Sequence, residues 1–173
     1  FGNSIDERDS SVALRKDFGH WEIDTVVLTR AKNKVLLTLT ERKSRLEIIR
    51  IIDDKSSDAV NSELKALTQN FQFKSITADN GTEFARLSEA VNCDIYYAHA
   101  YSSWERGTNE NHNRMIRRFL PKGTIKTTTK EVAQIEIWMN NYPRKMFNYS
   151  TPIQFIWVAN LDLQFAVFYL SLL

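Results

Sequence analysis

Three acidic residues stand where their surroundings make an acid conspicuous. Asp24 interrupts the apolar run Trp21-Glu22-Ile23-Asp24-Thr25-Val26-Val27. Strand alternation puts His20, Glu22 and Asp24 on one face, with Trp21, Ile23 and Thr25 on the other. A carboxylate in mid-strand of a central strand costs desolvation unless something compensates; on an edge strand it would simply face water. Asp79 closes a later apolar run, directly before Asn80-Gly81. Open α/β sheets place ligands at strand ends, although Asp-Asn-Gly is also ordinary turn chemistry. Glu110 lies in a helical stretch where, at about 100° per residue, Arg114 and Arg117 fall within about 40° of it. Met115, Ile116, Phe119 and Leu120 take the opposite arc. The polar face reads as a solvated Glu–Arg pair or as one carboxylate flanked by arginines.

Taken together, the three acids suggest a divalent-metal site. Mg²⁺ prefers carboxylate oxygens and keeps several waters, so two or three acids can hold a pair of ions. Two ions about 3.5–4 Å apart can activate the attacking oxygen and stabilise the leaving oxygen of an in-line phosphoryl displacement. Arginines beside such a site would hold a phosphodiester backbone. That local placement matters because the net charge is only +2, with 23 Lys and Arg against 21 Asp and Glu.

Composition excludes other chemistries. With one cysteine, Cys93, there is neither an internal disulfide nor a Cys metal cluster. His20, His99 and His112 lack zinc-type spacing. Hydrophobic residues at 43% and charged residues at 25% fit a globular chain. No secretory signal opens the sequence, and no run reaches the roughly 18–20 apolar residues of a spanning helix. These features predict a cytoplasmic protein with no membrane contact. The first residue is Phe1, which suggests a fragment of a longer chain.

The elements that must position the acids follow from periodicity. Residues 1–17 read as a polar lead-in. His20–Leu28, Lys34–Glu41 and Arg45–Ile52 are β-rich segments with hairpin-sized breaks, as in an antiparallel meander. A helix follows, capped by Asp54 or Ser56 and carrying Leu64, Leu67 and Phe71. Phe73–Ala78 and Asp94–Ala98 are short strands, and Thr82–Val91 between them has a helical pattern. Further helices are expected from the loop Tyr101–Gly107 to Leu120, over Glu131–Asn141, and after Thr151-Pro152. The expectation is an α/β fold with a five-stranded mixed sheet, three antiparallel strands preceding helix-linked ones, and helices on both faces. A core over 18–160 and an apolar tail over 161–173 complete the division. Trp21, Trp138 and Trp157 are expected in the core, and Cys93 is expected to be buried and inert.

The sequence resembles transposases of the bacterial insertion-sequence family IS-thirty, in the retroviral-integrase superfamily. The matching segments are Gly19-His20-Trp21-Glu22-Ile23-Asp24, Asp79-Asn80-Gly81-Thr82-Glu83-Phe84, and Tyr101-Ser102-Ser103-Trp104-Glu105-Arg106-Gly107-Thr108-Asn109-Glu110-Asn111, continuing to Phe119-Leu120-Pro121-Lys122-Gly123. The resemblance implies an RNase H-like catalytic core with Asp24, Asp79 and Glu110 as an Asp-Asp-Glu triad. Glu110 matches the third position rather than Glu105; Glu22 and Glu83 match none.

Further implications are two Mg²⁺ ions, with Mn²⁺ as a substitute, and a homo-oligomer acting on double-stranded DNA in a bacterium. Water would cut the transposon end, and the exposed 3′-hydroxyl would then attack target DNA. Asn80, Trp104, Arg114, Arg117, Arg118, Lys122, Arg144 and Lys145 are the candidate DNA contacts. For Arg118, Arg144 and Lys145, solvated surface charge is the plain alternative. The family's helix-turn-helix modules have no counterpart here. Two other readings stay open: a nuclease of the same fold that cuts without joining, and a non-catalytic DNA-binding remnant.

Overall fold

The computed structural model describes residues 2–29, 35–99 and 107–159. Its strands are β1 (Asn3–Ser4), β2 (His20–Val26), β3 (Val35–Glu41), β4 (Glu47–Ile52), β5 (Ser75–Ala78) and β6 (Asp94–Tyr97). Its α-helices are α1 (Ser10–Ala13), α2 (Ser57–Leu67), α3 (Gly107–Phe119), α4 (Thr129–Asn140) and α5 (Pro152–Val158). The strands form one mixed sheet in the order β1-β6-β5-β2-β3-β4. β2, β3 and β4 are the antiparallel meander, and β5, β6 and β1 extend it in parallel from β2. The sheet therefore has six strands, not five. The extra one is two residues of the lead-in, Asn3 and Ser4, paired with Tyr96 and Tyr97. A two-residue edge strand leaves no alternation for a sequence to show.

β2 lies between β5 and β3, so Asp24 belongs to an interior strand and the edge-strand reading is removed. On one face of the sheet, Trp21, Ile23, Leu37, Leu39, Ile48 and Ile76 pack with Val60, Leu64 and Leu67 of α2. On the other, Val26, Leu36 and Ile49 pack with Met115, Ile116 and Leu120 from α3 and its end, and with Val132, Ile135 and Met139 of α4. β3 feeds both cores and is buried throughout. These apolar layers account for most of the driving force for folding. Capping fixes the helix starts: Ser56 accepts from the Ala59 N–H at the head of α2, and Thr128 and Glu131 form a capping box on α4.

Two local expectations are corrected. Residues 82–91 contain two 3₁₀ turns, Thr82–Phe84 and Leu87–Glu89, instead of one helix. Gly81 supplies no side-chain cap, and a segment this short cannot offset helix nucleation. Full burial of Phe84 and Leu87 sets its path instead. Trp157 is 42% exposed, because on α5 the buried positions go to Pro152 and Ile156. Trp21 is fully buried, and Trp138 is partly buried against the second core. Cys93 is half-buried, and desolvation raises its thiol pKa to about 11. The tail 161–173 lies outside the described residues. Among the described residues no helix is long and apolar enough to cross a membrane.

Candidate active site

The parallel pairing of β2 with β5 sets His20 opposite Ser75, Trp21 opposite Ile76 and Glu22 opposite Thr77. Carried two residues further, the same register brings Asp24 opposite Asp79, one residue past the end of β5. Neighbouring strands are about 4.8 Å apart, and residues in register share a face. That continued register would set the first two acids near each other past the last parallel pair, Glu22 and Thr77.

Neutral N–H donors orient both. Asp24 Oδ1 accepts from the Thr25 backbone N–H at 2.8 Å, and Oδ2 accepts from Asn113 Nδ2 at 2.8 Å. Asp79 Oδ1 accepts from the Gly81 N–H at 2.8 Å. Asn113 is on α3, one helical turn after Glu110, so the helix flank that meets Asp24 also carries Glu110. Glu110 is exposed and, among the described residues, forms no ion pair with Arg114. Among the described residues no three acids, histidines or cysteines already form a metal cage.

α3 is held against β2 by polar contacts along its length. The Asn109 N–H donates to Glu22 Oε2 at 3.1 Å, and Arg117 Nη2 donates to the Val27 carbonyl at 2.7 Å. Glu22 is fully buried and ion-paired with buried Arg42. It therefore acts as an anchor for α3 rather than as a fourth site acid.

Beside it, Glu47 Oε2 accepts from Thr40 Oγ1 and lies against His112 Nδ1, each at 2.6 Å. Burial pushes the Glu47 carboxyl well above the ordinary carboxylate range, and burial with the nearby Arg144 charge lowers His112 to about 3. Burial thus disfavours the charged form of both groups. This buried layer was not identified from the sequence; Glu22 and Glu47 look like ordinary outward positions of alternating strands.

The layer makes a pH prediction. Glu47 has a folded pKa above its unfolded value, so its contribution to stability is complete below about pH 4.5 and is lost as pH rises through the folded pKa. Glu47→Gln should thus be more stable relative to wild type at pH 9 than at pH 5. Urea denaturation at the two pH values measures this.

Glu83 is also buried. Its Oε1 accepts from Thr25 Oγ1 at 3.0 Å and pairs with Lys55 Nζ at 2.9 Å. Its other oxygen sits beside Gly81. A Cβ on Gly81 would lie 2.8 Å from Asp79 Oδ1 and closer still to Glu83 Oε2. Glu83 is pinned at its other oxygen, so neither carboxylate can move away freely. Gly81→Ala should cost about 1–3 kcal/mol from overpacking and displace the Asp79 carboxylate. A thermal melt and a strand-cleavage assay would record both effects.

The candidate DNA contacts divide by burial. Arg114, Arg118 and Lys122 are exposed around α3 and its end. Arg117 is partly buried, with Nη1 enclosed and unpaired. Asn80 is exposed, but its amide donates to the Ala98 carbonyl at 2.7 Å, which ties it to the loop. Arg144 is half-buried against Met115 and the end of α4, and Lys145 is exposed. Trp104 lies outside the described residues.

A mixed sheet of an antiparallel meander extended by parallel strands, with helices on both faces, is the plan of an RNase H-like integrase core. The catalytic core of bovine immunodeficiency virus integrase superposes with a TM-score of 0.64, covering 82% of this chain and 95% of that one at 17% identity, which establishes the fold. Sequence relatives are more specific. The chain is 40% identical over 156 residues to a probable transposase for insertion-like sequence element IS1161 of Streptococcus salivarius. It is 39% identical over 166 residues to transposase InsI of element IS30C from Escherichia coli K12. It is 36% identical over 154 residues to the transposase of element IS4351 from Bacteroides fragilis. These alignments cover 86–90% of the chain and 42–47% of the relatives, so the chain spans less than half their length. No protein-family model matches. The chain is a homologue of IS30-family transposases.

Proposed function

We propose that this chain is the cutting and joining core of an insertion-sequence transposase. It would act on double-stranded DNA at the element's ends and at the target, within a homo-oligomer. The β2–β5 register supports the reading: continued two residues past Glu22 and Thr77, it would set Asp24 beside Asp79 on the face that α3 covers. An all-carboxylate oxygen donor set suits Mg²⁺, with Mn²⁺ as a substitute, and excludes no hard divalent ion of similar size. Asp24, Asp79 and Glu110 would hold two such ions. Bound there, the ions would activate the attacking oxygen and stabilise the leaving oxygen of an in-line displacement.

The chain's own contribution is positioning. Thr25 and Asn113 fix the Asp24 carboxylate, and the Gly81 N–H fixes Asp79. The Glu22–Asn109 contact fixes the start of α3 and hence the height of Glu110 above the sheet. Arg114 shares that flank, is exposed and can meet a phosphate beside the reacting one, while Arg117 is tied to the Val27 carbonyl. Arg118 and Lys122 extend the basic surface, while Asn80 contributes through the loop it braces. Arg144 and Lys145 lie elsewhere and take a different role, argued below.

The test is a joining assay with a pre-cut duplex end bearing a free 3′-hydroxyl, a plasmid target and Mg²⁺. Joined product is expected, and none from the same duplex ending in a 3′-deoxynucleotide. Nicked plasmid without joined product would make the chain a non-joining nuclease. Neither product would leave the remnant reading.

A further inference from the structure

Four non-glycine residues among those described have positive φ: Arg15 at 55°, Arg45 at 62°, Asn148 at 50° and Tyr149 at 66°. Arg15, Arg45 and Tyr149 line one cavity of about 590 Å³, and Asn148 precedes Tyr149. These residues come from three loops far apart in sequence. A left-handed backbone is strained at residues other than glycine, and such strain persists where function fixes a side chain. Here it aims two guanidiniums and a tyrosine at the same space.

The lining chemistry is one-sided. Among the described residues, Arg15, Arg45, Arg144 and Lys145 contribute four positive charges to the lining and no acid joins them. Arg45 Nη1 and Arg15 Nη2 both donate to Thr108 Oγ1, at 2.8 Å and 3.2 Å, and a hydroxyl neutralises neither. Glu22, the acid that faces Arg15, is taken by Arg42, and Glu47, near Arg144, is fully buried. At the rim, Tyr142 is 40% exposed with the Arg144 guanidinium 5.7 Å from its ring centre, and Tyr149 is 69% exposed. The bonds from Tyr149 N–H to the Arg144 carbonyl at 2.9 Å and from Arg144 N–H to the Ser150 carbonyl at 3.0 Å lock this loop.

From α3 the cavity receives Gly107, Thr108, Asn111 and His112. At about 100° per residue Thr108 and His112 are about 160° from Glu110 and Asn111 about 100°, so the cavity lies mainly against another flank of the helix, with Gly107 at its edge about 60° away. Cationic groups at depth and exposed aromatic rings at the rim suit a phosphate with its base stacked above. A cavity of this size has room for a nucleotide.

We infer that this cavity holds one unpaired nucleotide of a DNA strand, its phosphate against Arg15, Arg45 and Lys145 and its base on Tyr149. The inference rests on DNA being the substrate. It adds a single-strand site to a core that acts on duplex ends.

The test is fluorescence anisotropy of a labelled oligothymidylate of eight nucleotides with the full chain in EDTA, so that the proposed metal site takes no part. Tyr149→Asn removes the ring but suits a left-handed backbone, since Asn is enriched there. It should weaken binding about tenfold or more while raising Tm by about 1–3 °C. Lys145→Gln should weaken binding about threefold and flatten its salt dependence. Tyr149→Phe should bind within about twofold of wild type. Wild-type affinity in both Tyr149→Asn and Lys145→Gln would overturn the inference. So would equal loss in Tyr149→Phe, or competition by the matching duplex as effective as by the single strand. Joining activity is read separately in Mg²⁺: a chain that joins but shows no Tyr149-dependent oligonucleotide binding refutes the cavity site alone, and one that binds but does not join refutes the proposed function alone.

Discussion

Asp24→Asn is expected to lower strand cutting and joining by about a thousandfold or more, while leaving Tm within about 2 °C of wild type. The substitution keeps the side chain's shape. Its amide oxygen can still accept from the Thr25 N–H or from Asn113, so the half-buried position stays satisfied. What it loses is the negative charge that a hard cation requires, and phosphoryl transfer without that cation has little to stabilise the charge developing on oxygen. Asp79→Asn should behave alike because the strand register, continued past Glu22 and Thr77, would make the two positions equivalent partners. Single-turnover joining rates and a thermal melt on the same preparation measure both quantities. An active Asp24→Asn chain would remove Asp24 from the chemistry, and an unfolded one would give it a structural role instead.

Glu22→Ala is expected to have the largest effect on stability, about 3–5 kcal/mol, or roughly 10 °C in Tm. Glu22 has no solvent exposure and Arg42 is 4% exposed, so removing the carboxylate strands a guanidinium in the interior. Arg42 Nε already lacks a partner, and little there could compensate. The Asn109 N–H would lose its acceptor as well, loosening the first turn of α3, where Glu110 sits. Urea denaturation gives the stability, and joining should fall with it even at temperatures where the chain stays folded. Replacing the pair together, as Glu22→Leu with Arg42→Met, should recover most of the stability, because a buried ion pair is seldom better than an apolar pair of similar volume. A loss under about 1 kcal/mol for Glu22→Ala would show that the pair contributes little.

How far the sequence reveals this arrangement depends on the range of the interaction involved. Asp24 is conspicuous because its neighbours are apolar, and alternation assigns its face correctly. Whether its strand is central cannot be read locally, since that depends on β5 returning in parallel beside β2. Asp79 looks like a turn residue until the β2–β5 register, continued past Glu22 and Thr77, points it toward Asp24. The Glu22–Arg42 and Glu47–His112 pairs escape sequence reading because each joins positions 20 and 65 residues apart, on strands, hairpin and helix. Arg42 itself looks like one more polar residue of a hairpin-sized break. Nothing local marks Arg15, Arg45 or Tyr149 as cavity residues either; their common feature is a backbone angle that only tertiary structure imposes. The two-residue strand β1 and the 3₁₀ turns over 82–91 fail for a related reason, because pairing and burial decide them more than propensity does.

The central claim is that Asp24, Asp79 and Glu110 gather a pair of divalent ions. Locating Mn²⁺ by anomalous scattering in crystals of the chain tests it directly. The expected result is one or two ions at the ends of β2 and β5, with Asp24 and Asp79 as shared oxygen ligands and Glu110 completing one coordination shell, at about 2.0–2.2 Å for ions of this kind. Ions bound elsewhere with that position vacant, or the three carboxyl groups more than roughly 10 Å apart in a well-ordered site, would contradict it.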